Sequence, residues 1–87
     1  MTQYLVHCHI PGINLGDLQA LQRAVIETSR RFSAEGKPVH YVRCTFVPGE
    51  SHVMVLFEAP NASFVRDVNE MALVPFTRVV EAIDVSA

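Results

Sequence analysis

The chain is poor in charge and poor in chemical signatures. Charged residues make up 18% of it and the formal net charge is −2, so it offers no basic footprint for a nucleic acid. No apolar run reaches the length of a membrane span, and the first residues lack the charged-then-apolar layout of a signal peptide. Cysteine is scarce: Cys8 and Cys44 stand alone, which fits a reducing cytoplasm better than a disulfide-stapled secreted scaffold. There is no internal repeat, no low-complexity tract and no linker. A phosphate-binding glycine loop, Cys-x-x-Cys, a nucleophile elbow and His-Glu-x-x-His are all missing. Their absence removes the commonest motif-borne routes to nucleotide, dithiol, serine-hydrolase and zinc-protease chemistry.

What is present is apolar: 49% of 87 residues, enough for one domain over 1–87 with a single core. The richest stretch runs from Val39 to Pro60, VHYVRCTFVPGESHVMVLFEAP. Its Val, Tyr, Thr and Phe suit a pleated, half-buried backbone. Pro48-Gly49-Glu50-Ser51 interrupts it, so it reads as a β-hairpin that sets Val47 across from His52 and Cys44 across from Val55. Strict alternation then places Val42, Cys44, Phe46, Val53, Val55 and Phe57 on one face, with His40 at its end. That face should meet helices. The opposite face carries Tyr41, Arg43, Thr45, Val47, His52, Met54, Leu56 and Glu58. It is too apolar for plain solvent and too polar for a core.

Thr2 to Ile10 reads as a first strand, with Tyr4, Val6, Cys8 and Ile10 on one side and Leu5, His7 and His9 on the other. Asn14 caps a helix whose stripe holds Leu18, Leu21, Val25 and Phe32, and Gly36 with Pro38 ends it. Asn61 caps a second helix, with Phe64, Val65, Val68, Met71 and Ala72 as its buried stripe. Phe76 to Val85 reads as the last strand, placing Phe76, Val80 and Ala82 on one side and Val79, Glu81 and Ile83 on the other.

The order β-α-β-β-α-β predicts an α+β, ferredoxin-like split βαβ fold. Right-handed crossovers put both helices on one face of a four-stranded antiparallel sheet of order 4-1-3-2. The uncovered face keeps Leu5, Val47, Met54, Leu56, Val79 and Ile83, which predicts a homodimer packed sheet against sheet. The third strand separates the two cysteines by about 10 Å, too far for a disulfide. They read as buried thiols.

His7 and His9 share the open face, and antiparallel pairing brings His9 towards His52. Three imidazoles there make a candidate site for a divalent metal, Ni or Zn. The competing reading is three partly exposed strand histidines bonded to neighbours. Arg43 and Glu58, with Tyr41, also project from the open face. They read as a cross-strand ion pair, or, more sharply, as an anion-holding arginine beside a proton-moving histidine. His40 is the candidate acid or base on the helix side. His40, Arg43 and Glu58 are therefore the candidate catalytic residues.

The run Cys44-Thr45-Phe46-Val47, then Val55-Leu56-Phe57-Glu58-Ala59-Pro60, then Asn61-Ala62 to Val65-Arg66, with Pro75 and Val79-Val80-Glu81, resembles a small bacterial family of unknown function that includes nickel-binding proteins. The resemblance spans Tyr4 to Val85 and implies a ferredoxin-like, dimeric fold. It also implies a metal site with a cysteine where this chain has Val55, a histidine where it has Val68, and a strand-one histidine at His7 or, shifted by one, Cys8. Two of those three positions are aliphatic here, so a metal would have to use His7, His9 and His52.

The sequence therefore supports a small cytoplasmic dimeric binding protein for a divalent metal or a small organic ligand. The alternative is a cofactor-independent dimeric α/β-barrel enzyme, an isomerase, cyclase or monooxygenase-like protein. Its pocket would lie between sheet and helices, lined by Tyr4, Cys8, His40, Cys44, Val55 and Val68. The few polar groups in that layer favour binding over catalysis.

Overall fold

A computed structural model describes residues 1–85. Strand β1 (Thr2–His9) leads to helix α1 (Leu15–Ala34), the hairpin of β2 (His40–Val47) and β3 (His52–Ala59), helix α2 (Ala62–Met71) and strand β4 (Phe76–Ala82). The sheet order is β2-β3-β1-β4 with every neighbouring pair antiparallel, the ferredoxin-like arrangement expected from the sequence.

Local chemistry explains the turns. Pro48 opens a single 3-10 turn, and Ser51 closes it in the left-handed region at φ 50°, its N–H donating to the Pro48 carbonyl at 3.3 Å. The hairpin register is thereby fixed with Val47 against His52 and Cys44 against Val55. Asn14 Oδ1 accepts the Asp17 N–H at 2.8 Å, and Asn61 Oδ1 accepts the Phe64 N–H at 3.0 Å. Each cap satisfies a donor that the first helical turn leaves free. Asn14→Ala is expected to cost about 1 kcal/mol. In circular-dichroism melts that should appear as a Tm lower by roughly 4–8 °C.

Both helices cover one sheet face. Beneath them Val6, Val53, Val55 and Phe57 from the sheet meet Leu18 and Val25 from α1 and Val65 and Val68 from α2. Three polar residues, Thr28, Ser29 and Asn69, are buried among the described residues. Asn69 is fully buried; its Nδ2 donates to the Val65 carbonyl at 2.8 Å, while Oδ1 has no hydrogen-bond partner among the described residues. Met71, expected inside, is 63% exposed at the helix end.

Two register shifts break the strict alternation assumed from sequence. In β2 the pairs Tyr41–Phe57 and Arg43–Leu56 leave Val42 as an extra, unpaired residue. Tyr41 consequently turns inward, its ring edge-to-face with Phe57 at 6.2 Å between centroids. Val42 is exposed, and His40 pairs with Glu58 at the strand's beginning. This reverses the expectation that His40 and Val42 lie under the helices and Tyr41 outside. In β4 the pairs Cys8–Phe76 and His7–Arg78 leave Thr77 over, and its hydroxyl donates to the His7 carbonyl at 2.9 Å. Phe76 and Val79 join the core, and Val80 takes the outer position that had been assigned to Val79.

Candidate metal site on the open sheet face

The side of the sheet away from the helices carries a pair of histidines. His7 lies within β1, and His52 is the first residue of β3. The antiparallel register sets His9 directly across from His52 and His7 across from Met54, so His7 and His52 are diagonal neighbours. Their rings meet: His7 Nδ1 lies 3.0 Å from His52 Nε2, with ring planes at 70°. One nitrogen of this pair carries the shared proton and the other accepts it. Both residues are half-buried, whereas His9 is exposed.

The electrostatics favour an uncharged His7. Burial lowers the pKa of His7 below its ordinary value, and the Arg78 guanidinium across β1–β4 and then His52 lower it further. The neutral ring is the form that ligates a metal. The nitrogen spacing also suits one. Two metal–nitrogen bonds of roughly 2.0–2.1 Å at a right angle place their nitrogens about 3 Å apart. Two imidazoles are half of a four-coordinate set. Among the described residues no group of three His, Cys, Asp or Glu side chains is gathered to hold an ion. The sequence-predicted trio thus resolves into a bonded pair, His7 and His52, with His9 at the neighbouring register position.

The candidate catalytic residues do not converge in the same way. His40 and Glu58 are cross-strand partners, while Arg43 pairs with Leu56 and borders a shallow groove with Leu5, Thr45, Met54 and Asp84. The inner pocket expected between sheet and helices is packed solid where Cys8, Val55 and Val68 meet, each at most 1% exposed. Both cysteines are free thiols, on strands separated by β3. Burial, then proximity to Cys44, pushes the Cys8 thiol up to about 11, and burial raises Cys44. Neither is a thiolate nucleophile at neutral pH. Sequence reasoning missed the contact between Gln22 and Tyr41, whose hydroxyl accepts from Gln22 Nε2 at 2.7 Å. Only a bulge at Val42 makes it, and no residue type announces that bulge.

An antiparallel sheet of order β2-β3-β1-β4 backed by two helices on one face defines a small ferredoxin-like domain. The family model described as nickel responsive protein SCO4226-like matches residues 4–82, and the chain belongs to that family. The crystal structure of SCO4226 from Streptomyces coelicolor A3(2) is similar over 98% of this chain and 99% of that one, with a TM-score of 0.80 and 21% sequence identity. That likeness establishes the shared fold. No curated protein matches the chain. No helix among the described residues is long and apolar enough to cross a membrane.

Proposed function

We propose that the protein is a small dimeric cytoplasmic binding protein that takes a divalent metal ion, nickel before zinc, on its open sheet face. The observation that carries this reading is the 3.0 Å approach of His7 Nδ1 to His52 Nε2, two imidazole nitrogens at the spacing of adjacent ligands. Membership of a family described as nickel responsive supports nickel as the ion. When bound, the ion would link β1 to β3 through these two rings. The remaining donors would come from His9 or from the same face of a second copy.

The composition of this face supports a dimer through it. Leu5, Met54, Leu56 and Val80 place an apolar band on a sheet side that the helices leave bare. A closed two-fold pairing covers it at no cost in added chain. The reading is tested by titrating metal-free protein with NiCl2 in a calorimeter and measuring molar mass by light scattering. Stoichiometric uptake by a particle of twice the chain mass is the expected result, and uptake should weaken in His9→Ala. A monomer that takes up no nickel overturns the proposal.

A further inference from the structure

A second recess lies on the helix side of the sheet, far in character from the histidine pair. It is a cleft of about 420 Å³ between the second half of α1 and the first residues of β2. That volume falls within the range of small-molecule sites, roughly 300–1,000 Å³. Ile26, Val39 and the ring of Tyr41 give it an apolar lining, and Arg30 supplies a positive charge, while His40 borders it only as the first residue of β2. Among the described residues no acidic side chain lines it.

The walls are built without using the groups that a ligand would need. Ser33 Oγ donates to the Val39 carbonyl and accepts the Val39 N–H, both at 3.1 Å, tying the end of α1 to the start of β2. Ser29 Oγ donates to the Val25 carbonyl at 2.8 Å. The serines are therefore satisfied internally. Tyr41 differs: its oxygen accepts from Gln22, which leaves its own O–H proton to give. Burial raises its pKa, so at neutral pH it stays a donor. The bulge at Val42 is what turns Tyr41 into this wall, a common use of bulges beside binding sites.

We infer that this cleft binds a small amphipathic organic acid, its carboxylate held by Arg30 and its apolar body lying on Ile26, Val39 and the Tyr41 ring. A guanidinium matches the two oxygens of a carboxylate in a planar fork. The apolar lining selects against a bare inorganic anion. The inference is independent of the metal reading, because none of these residues belongs to the histidine pair.

The test uses metal-free, ¹⁵N-labelled full chain titrated with 1-naphthoate, its neutral analogue 1-naphthamide, and inorganic phosphate. Naphthoate is expected to move the amide signals of Ser29, Arg30, Ser33, Val39 and Tyr41. Naphthamide and phosphate should each bind at least about tenfold more weakly, the size of one lost charge-assisted contact. Arg30→Gln should weaken naphthoate by a similar factor at unchanged Tm, while Arg66→Gln on α2 leaves it unaltered. The inference is overturned if naphthoate moves no signals or moves only those of the open sheet face. It is equally overturned if Arg30→Gln binds as the parent does, or if either control ligand equals naphthoate.

Discussion

Phe57→Ala is expected to remove about 3–5 kcal/mol of stability, the usual cost of truncating a fully buried phenylalanine. The residue is 0% exposed and sits in β3, between Tyr4 of β1 and Tyr41 of β2 in the register. It is among the largest side chains buried in the protein. Its ring is one partner of the edge-to-face contact with Tyr41, and such pairs add about 0.5–1.5 kcal/mol beyond area burial. Domains are stabilised by roughly 0.05–0.15 kcal/mol per residue, so the loss is a large part of what a chain of this size has. Urea melts should show the midpoint falling sharply at constant slope, and thermal melts a drop of roughly 12 °C or more. Phe57→Leu, which keeps most of the volume, should lose far less. A truncation costing under about 1 kcal/mol would mean that the layer closes over the cavity, contrary to the close packing of protein interiors. The same variant should loosen the cleft beside α1, because Tyr41 leans on the ring that is removed.

The parts of this molecule that sequence reveals are those set by local chemistry. Pro48 to Ser51 announces its turn, and the turn fixes the pairing of Val47 with His52 and everything towards Cys44. Asn14 and Asn61 announce the caps. The long stripe of α1 and the β-α-β-β-α-β order lead directly to the sheet topology. Legibility fails one residue past Arg43, where Val42 is spare. Valine is a good strand residue on either face, so nothing in its chemistry signals that it is unpaired. One extra residue reverses every side chain beyond it, which is why His40 and Tyr41 exchange faces. Thr77 does the same in β4: Phe76 packs against the core as expected, while beyond the shift Val79 moves inward and Val80 takes the outer side. Strand β1 has no such shift up to His7 in its pairing with β3, so Leu5 and His7 fall on the open face as parity predicts. The register also brings histidines together as expected, although the bonded partner of His52 is His7 rather than His9. Asn69 escapes for another reason. A helical stripe read from apolar residues has no place for a buried amide.

Replacing His7 or His52 by alanine is expected to weaken nickel binding by more than about 100-fold, since even outer partners of metal ligands cost 10–100-fold when removed. Equilibrium dialysis at pH 7.5 measures it, with unchanged circular dichroism as the check that the sheet survives. The pH profile separates ligation from a merely structural role. His7 must be neutral to bind, and its pKa is lowered by burial first, by Arg78 second and by His52 third. Arg78→Gln removes the second cause, so the His7 pKa rises towards the ordinary 6.5 and nickel uptake should fall off at a higher pH than in the parent. The stability of the metal-free chain moves consistently with this. A histidine with a lowered folded pKa binds fewer protons than the unfolded chain does, so its stabilising contribution is present above the unfolded value of about 6.5. It is lost as pH falls from there through the folded pKa, and His7→Ala should flatten that part of the stability curve. If Arg78→Gln leaves the uptake profile where it was, or if the two alanine variants still bind nickel as the parent does, the histidine pair is not the metal site. The 3.0 Å contact would then serve only to join β1 to β3.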